Sequence, residues 1–330
     1  MRAFRTIPAA HFGMVLGMVA FGSAWRAGAA LWGLPDMVSE VIMVAGALIW
    51  GTITIAYLGK WWFARADALD EVHDAIQCCF IGLLPASTSL MGIVLAPHAH
   101  RIAVAALTIG AAGQLVFGVF HSGGMWRGGR DIAMNTPVLF LPTVAGNLIS
   151  AIVAGVLGFS SWGLLFFGIG FFNWVVMESV ILMRLWMGPP LADPLRPTLG
   201  IQLAPPAVAT VAWLASTHGL PDSFVQTMWG YGLFQLLMLA RLMPWVVHQP
   251  FAPSYWAFSF GVTAIAIGAM QMTLRGVQGA IPLLAPAVFI LANVVMAVLV
   301  IGTLIRLLQG RLLPPHAAAP TLASTATPHQ

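Results

Sequence analysis

The chain has 330 residues, of which 59% are hydrophobic and 7% are charged, and its formal net charge is +4. Soluble domains carry about 25% charged residues, so a chain this apolar cannot cover itself with a surface that water tolerates. The composition therefore predicts a protein of the lipid bilayer, and long apolar segments without strand-like alternation exclude an outer-membrane barrel. The positive charge is expected in loops on one side of the membrane, and no nucleic-acid partner is predicted.

Ten apolar segments are candidates for membrane-spanning helices, which need about 20 mostly apolar residues. In chain order they are Pro8–Leu31, Met37–Trp62, Ala75–Ala96, Ile102–His121, Pro137–Gly158, Trp162–Trp186, Ile201–Ser216, Ser223–Val247, Ser254–Thr273 and Leu283–Leu308. We therefore predict an all-α membrane protein whose ten-helix domain occupies residues 1–311. The tail of residues 312–330 is rich in proline, alanine, serine and threonine, and is predicted to be disordered.

The basic residues are distributed unequally between the two sides that ten spans would define. Arg101 and Arg275 fall on one side, and Arg26 lies near the end of the first span. The other side holds Arg2, Arg5, Lys60, Arg65, Arg127, Arg130, Arg184, Arg196, Arg241, Arg306 and Arg311. Since loops rich in lysine and arginine stay in the cytoplasm, both termini are predicted to be cytoplasmic, in a bacterial inner membrane.

The odd-numbered spans share a pattern that the even-numbered spans lack. Four of them contain proline, in IPAAHFGMVLG at residues 7–17, LPASTSLMG at 84–92, LPTVAGNLIS at 141–150 and APPAVATVAW at 204–213. The fifth, FSFGVTAIAIG at 258–268, has Gly261 at the corresponding place. Proline bends a helix by removing a backbone hydrogen bond. The pattern predicts five helical hairpins, with five bent helices around a shared axis and a bulkier outer ring.

An axis lined by these five segments would be a pore with few charges. The candidate lining residues are His11, Gly13, Pro85, Thr88, Pro142, Thr143, Asn147, Pro206, Thr210, Gly261 and Thr263. None of the five segments contains a carboxylate, whereas cation pores usually show acidic rings or ordered carbonyl filters. The pattern favours small anions, although serine and threonine also join helices in membranes.

Phe258 and Phe260 are the first and third residues of the fifth segment. A helix turns about 100° per residue, so positions two apart cannot share a face. Phe260 directly precedes Gly261, where it could reach across a lumen lined by small side chains and close it by excluding water. The residues alone leave a second interpretation equally open, in which Phe260 packs between helices.

Several blocks resemble one known family. FGMVLG at 12–17, PTVAGN at 142–147, RPTLGIQLAPPAVA at 196–209 and WAFSFG at 256–261 are similar to the tellurite-resistance TehA family, bacterial relatives of the plant slow anion channels and fungal malate permeases. The resemblance runs from about Ile7 to Leu308. It implies ten helices in quasi-fivefold symmetry around a central pore, a homotrimer, and occlusion by the phenylalanine at Phe260. The plant motif has proline where this chain has Gly261.

Two functions from different classes compete with a passive channel for chloride or nitrate. A proton-coupled carrier of C4-dicarboxylates such as malate would need a titratable residue on its pathway, and His11 is the only candidate in the five segments. An enzyme would need a catalytic constellation or a cofactor site, and the sequence predicts neither. Cys78 and Cys79 are adjacent and have no metal-site spacing, so no metal is predicted.

The remaining charges near the spans are predicted to be structural. Glu178 lies within the sixth span, where a helix-pairing or subunit-interface role is favoured over a place on the pathway. Arg26, Asp36 and Glu40 cluster at the turn between the first two spans, where an ion pair at the rim is favoured over a vestibule that attracts anions. His98 and His100 are expected to be solvated.

Overall fold

The computed structural model describes residues 6–313, and every regular element within that range is helical. The predictions for Arg2, Arg5 and the tail beyond residue 313 therefore lie outside the described residues. The α-helices are α1 (Phe12–Trp32), α2 (Asp36–Phe63), α3 (Arg65–His73), α4 (Gln77–Phe80), α5 (Leu83–Leu95), α6 (His100–Met125), α7 (Gly146–Val156), α8 (Ser160–Met187), α9 (Ala204–Ser216), α10 (Ser223–Val246), α11 (Ala257–Leu274) and α12 (Ala280–Leu308).

Short turns of other helical geometry precede several of these helices. Tighter 3₁₀ turns lie at Ala9–His11, Ile132–Met134, Pro137–Leu139, Asp193–Leu203 and Pro253–Trp256, and a wider π-helical turn lies at Leu141–Ala145.

Nine helical segments within residues 6–313 are long and apolar enough to cross a membrane. They correspond to nine of the ten predicted spans. The remaining span, the eighth, forms α10, which has 24 residues and is therefore long enough, but is less apolar than the other nine. The all-helical membrane class is confirmed, while the count of ten stays a prediction.

Burial divides the spans into two groups that follow the predicted alternation. In the apolar windows of the first, third, fifth, seventh and ninth spans, 61–94% of the residues are buried. In the windows of the second, fourth, sixth and tenth spans the buried share is 22–33%. We call α1, α5, α7, α9 and α11 the inner helices, and α2, α6, α8, α10 and α12 the outer helices.

The inner helices contact one another in a closed order. Helix α1 packs against α5, α5 against α7, α7 against α9, α9 against α11, and α11 against α1. Each inner helix also packs against the outer helix that follows it in the chain. Every inner helix is therefore covered on its outer side by its own hairpin partner.

The prolines of the first four inner segments lie at helix starts and not in helix middles. Pro8 precedes the first 3₁₀ turn, Pro85 is the third residue of α5, and Pro142 lies in the π turn before α7. Pro205 and Pro206 are the second and third residues of α9. The first-turn N–H groups of a helix have no partner within it, so proline there removes no hydrogen bond. The expected mid-helix bends are replaced by 3₁₀ or π turns before α1, α7, α9 and α11, and by the break between α4 and α5.

The fifth inner segment differs from the prediction in where its irregular turn lies. The 3₁₀ turn is Pro253–Trp256, whereas Gly261 lies inside the regular helix α11. A Cβ added at Gly261 would lie 2.9 Å from Leu203 Cγ and 3.1 Å from the backbone nitrogen of Ala204. Gly261 therefore allows α11 to approach the start of α9 closely, and it does not bend the helix.

The π turn before α7 is completed by a side chain from the outer ring. Gln114 of α6 is fully buried, and its Nε2 donates hydrogen bonds to the carbonyl oxygens of Pro142 at 2.6 Å and Leu141 at 3.4 Å. A carbonyl left unpaired in hydrocarbon would cost several kcal/mol. Gly146 leaves space for this contact, because a Cβ there would lie 2.0 Å from Gln114 Cδ.

Helix α3 fixes the start of the first inner segment through one buried carboxylate. Glu71 accepts hydrogen bonds from the backbone N–H of Ala9 at 2.8 Å, from Tyr57 Oη at 3.1 Å and from Lys60 Nζ at 2.9 Å. The side chains of Lys60 and Glu71 are only 5% and 6% exposed. This ion pair ties α2 and α3 to the residues just before α1.

Candidate functional site

Two cavities lie between the inner helices, and each is lined by all five. The first cavity, about 190 Å³, lies where the inner helices begin, and its lining includes Gly13, Leu83, Leu148, Pro205 and Ala257. The second cavity, about 400 Å³, lies further along the same helices, and its lining includes Ala27, Ile93, Ile152, Val211 and Ile267. Both linings are mostly aliphatic.

The two cavities meet at two side chains. Phe260 of α11 and Val208 of α9 are the residues common to both linings. Phe260 is 8% exposed. Its ring therefore lies between the first and second cavities.

Phe258 faces another direction, as the helical turn of about 200° between the two positions requires. It lines a lateral apolar groove between α10, α11 and α12 and lines neither of the two inner cavities. A Cβ at Gly200, in the 3₁₀ turn before α9, would lie 2.7 Å from Phe258 Cγ. Phe258 is thus an interhelical packing residue, and Phe260 is the ring between the two inner cavities.

The charged groups that line the second cavity are both positive. They are Arg26 near the end of α1 and Arg275 just after α11. Among the described residues, neither cavity lining contains an aspartate or a glutamate. Polar side chains in the linings are otherwise uncharged: Gln77, Thr198, Ser254, Ser23 and Gln271. This surface disfavours cations and attracts anions.

The two arginines differ in how their charge is balanced. Arg26 Nη2 pairs with Glu40 Oε1 at 2.9 Å, so the predicted rim ion pair is confirmed, although Asp36 takes no part in it through its carboxylate. His98 also lies 3.2 Å from Glu40, so it is not simply solvated. Arg275 instead donates to the backbone carbonyls of Leu214 and Thr217 at the end of α9. Within residues 6–313, no carboxylate lies at ion-pair distance from Arg275.

Comparison with known proteins identifies the family. The sequence matches the voltage-dependent anion channel family, SLAC1, over residues 6–304. The chain belongs to this family. The resemblance drawn from the four sequence blocks is confirmed, and the SLAC1 family is one of channels and transporters, not of enzymes.

Individual relatives of the SLAC1 family show the same relationship. The chain is 34% identical to a tellurite resistance protein TehA homolog of Haemophilus influenzae over 92% of both proteins. It is 23% identical to an uncharacterized transporter of Methanocaldococcus jannaschii over 66% of this chain and 69% of that protein. It is 25% identical to the S-type anion channel SLAH3 of Arabidopsis thaliana over 65% of this chain and 33% of that protein.

Most of the residues predicted to line the pore lie away from the two cavities. Gly13 and Phe260 are in the linings. The predicted residues outside both linings are His11, Pro85, Thr88, Pro142, Thr143, Asn147, Pro206, Thr210, Gly261 and Thr263. The two inner cavities of this SLAC1-family chain are therefore more apolar than its sequence suggests.

The hydroxyl groups of three predicted lining residues outside the linings bond to their own helices. Thr88 Oγ1 donates to Leu84 O at 2.9 Å, Thr210 Oγ1 to Pro206 O at 2.9 Å, and Thr263 Oγ1 to Ser259 O at 2.8 Å. A threonine hydroxyl that bonds a carbonyl four residues earlier is satisfied without a ligand or water.

Thr143, Asn147 and His11 lie in other surroundings. Thr143 and Asn147 line a separate lateral cavity between α6 and α8, shared with Gln114 and Asn173. His11 is buried, and its Nε2 lies 3.4 Å from the carbonyl oxygen of Leu312. None of these three side chains reaches the path between the inner helices.

Sequence reasoning missed Val208 and did not place Arg275 in the site. Val208 is one aliphatic residue in an alanine- and valine-rich helix and gives no local signal. The sequence does contain a signal for Arg275. It is one of the few basic residues on the less basic side of the predicted topology, and it follows the ninth span directly.

Glu178 joins helices and does not face the cavities. Its carboxylate accepts hydrogen bonds from Trp174 Nε1 at 3.0 Å, Gln202 Nε2 at 2.8 Å, Tyr231 Oη at 2.8 Å and Gln235 Nε2 at 3.0 Å. These donors come from α8, α10 and the turn before α9. The helix-pairing interpretation is confirmed.

We expect Glu178→Gln to lower the thermal unfolding temperature without changing ion selectivity. The four donors now share two carboxylate oxygens, and the glutamine side chain has only one oxygen. The donors that face its new NH₂ group would lose their acceptor, which should cost about 1–3 kcal/mol of stability for each. The check is a thermal melt of the purified protein together with its reversal potential in a salt gradient. Asp193→Asn is the control, since its carboxylate is 60% exposed and Arg196 is its one ion-pair partner within residues 6–313. A changed selectivity in a normally folded Glu178→Gln protein would contradict this role.

Proposed function

We propose that the protein is a gated channel for small monovalent anions, such as chloride and nitrate, in a bacterial inner membrane. The observation that carries the proposal is the pair of cavities that all five inner helices line and that meet at Phe260 and Val208. In this proposal the closed order of inner-helix contacts is a quasi-fivefold pore, and the ring of Phe260 occludes it. Hydrophobic constrictions of this kind close pores by excluding water.

The charges support anion selectivity. A permeating ion meets no carboxylate in either lining, and it passes Arg275, whose guanidinium bonds only to neutral carbonyls in the contacts described above. Arginine near a pore raises the local concentration of anions, while weak binding lets them leave. We further propose that both termini are cytoplasmic and that the chain forms a homotrimer with one pore per subunit. The link to tellurite resistance is proposed from the name of the Haemophilus relative.

We expect Arg275→Gln to reduce the ratio of anion to cation permeability. The substitution removes the less compensated positive charge of the second cavity and keeps an amide donor for the carbonyls of α9. The measurement is the reversal potential in planar bilayers under a potassium chloride gradient. Arg241→Gln serves as the control, because Arg241 is exposed on the outer helix α10. An unchanged reversal potential in Arg275→Gln would remove this residue from the selectivity mechanism.

The alternative is a proton-coupled carrier of C4-dicarboxylates such as malate. His11 was the titratable candidate for such coupling, and it lies outside both cavity linings. The channel proposal predicts chloride current that does not saturate at moderate concentration and does not require a pH gradient. Accumulation of labelled malate in proteoliposomes, driven by a pH gradient and without chloride current, would favour the carrier instead.

A further inference from the structure

A cluster of soft ligands lies beside the first cavity. Cys78 and Cys79 are on α4, and His121 is near the end of α6. Both sulfur atoms lie 3.6 Å from His121 Nε2, and the three ligand atoms are all within 4.8 Å of one another. The two cysteines are the only ones in the chain.

The adjacent cysteines are poorly placed to form a disulfide with each other. Consecutive Cα atoms are about 3.8 Å apart, whereas disulfides usually need about 4.4–6.8 Å between Cα atoms. Both thiols therefore stay available as ligands. Cys79 is buried and Cys78 is partly buried, which limits contact with other proteins but not with a small ion.

We propose that Cys78, Cys79 and His121 form a binding site for a thiophilic divalent cation of the zinc and cadmium class. Zinc binds sulfur at about 2.3 Å and histidine nitrogen at about 2.0–2.1 Å, which at a tetrahedral angle separates the two ligand atoms by about 3.6 Å. The observed separations from His121 Nε2 to the two sulfurs have this value. Two thiolates and one imidazole suit a soft cation and are unsuited to magnesium or calcium, which take oxygen ligands.

The ring of His121 has one aromatic neighbour within residues 6–313. It packs against Phe117 one turn earlier on α6, with ring centroids 5.8 Å apart. Its Nε2 is directed at the thiols, and its Nδ1 is buried and has no hydrogen-bond partner among the described residues. Three protein ligands leave a fourth position of a tetrahedral cation for water.

A cation at this site would affect the lining of the first cavity. Gln77 and Phe80 of α4, on either side of the cysteines, line the first cavity. A bound cation would join α4 to α6 and hold these two side chains in place at the first cavity. The site itself does not depend on the transported ion, and its test does not require conduction.

The experiment is titration of the purified, tag-free, reduced protein with cadmium, followed by the ultraviolet absorption of cadmium–thiolate bonds and by the metal content after gel filtration. We expect one cadmium per chain in the wild type. The thiolate band should disappear in Cys78→Ser/Cys79→Ser, and the affinity should fall at least about tenfold in His121→Asn. His100→Asn, at the opposite end of the same helix, should bind as the wild type does.

Two results would overturn the proposal. One is a folded wild-type protein with no thiolate band at stoichiometric cadmium. The other is a His121→Asn protein that binds cadmium as tightly as His100→Asn does, which would remove the histidine from the site. Monodispersity and thermal melting establish that each variant is folded. If the double variant fails that test, Cys78→Ser alone should still weaken binding, and unchanged binding in it would also overturn the site.

Discussion

Phe260→Ala is expected to raise the anion current at least about tenfold over the wild type. The ring lies between two cavities that the same five helices line, so its removal should join them into one continuous path. A tenfold change requires a decrease of only about 1.4 kcal/mol in the barrier to ion passage. The measurement is single-channel or macroscopic current of purified protein in planar bilayers with chloride and then with nitrate.

Phe258→Ala is the matched control for this experiment. It removes the same ring from the same helix, two residues away, but from the lateral groove of α10, α11 and α12. It should reduce stability, as large-to-small substitutions at packed sites do, and leave the current near that of the wild type. If Phe260→Ala folds normally and its current equals that of Phe258→Ala, the ring is not the gate.

The division into inner and outer helices could be predicted from sequence because it depends on side-chain size and helix starts. Small residues recur in alternate spans, whereas proline does not follow the alternation strictly, because Pro244 and Pro286 lie inside the outer helices α10 and α12. This pattern can be recognised even when the helix ends are uncertain, because it depends only on the order of the spans. The choice of Phe260 over Phe258 as the candidate gate depended on the family resemblance, because the residues alone left packing between helices equally open.

The polar lining could not be predicted, because a threonine in a buried helix has two stable options. It can lie at a cavity, as Ser23 does while its hydroxyl bonds a carbonyl of its own helix, or it can lie away from the cavities with the same kind of bond. Thr88, Thr210 and Thr263 take the second option, and nothing in their local sequence distinguishes the two. The hydrogen bonds of Gln114 could not be predicted from the local sequence either, because its partner carbonyls lie 27 and 28 residues away, in the turn before α7.

The cluster of Cys78, Cys79 and His121 was missed for a related reason. Metal motifs are recognised when their ligands follow a short, regular spacing, and here the histidine is 42 residues beyond Cys79. Only the packing of α4 near the end of α6 brings the three ligands together. Long-range contacts of this kind depend on tertiary structure, and one sequence does not reveal them.

The second large effect is expected from Glu71→Ala, which should destabilise the fold by about 3–5 kcal/mol. Removing the carboxylate leaves the ammonium of Lys60 buried without a counter-charge, and the N–H of Ala9 without its acceptor. Thermal melting and the monodisperse fraction after gel filtration are the measurements. Asp67→Ala is the control on the same helix. Its carboxylate accepts one partly buried hydrogen bond from Thr6, so its loss should cost about 1 kcal/mol.

A double substitution separates the two roles of Glu71. In Lys60→Met/Glu71→Leu no charge is left buried, and apolar replacement of a buried ion pair is often neutral or stabilising. Stability should recover relative to Glu71→Ala, but only in part, because the N–H of Ala9 still lacks its acceptor at the start of the first inner segment. A double variant as unstable as Glu71→Ala would mean that the tie to Ala9, and not the buried charge, dominates. Full recovery would mean that the start of α1 is held in place without α3.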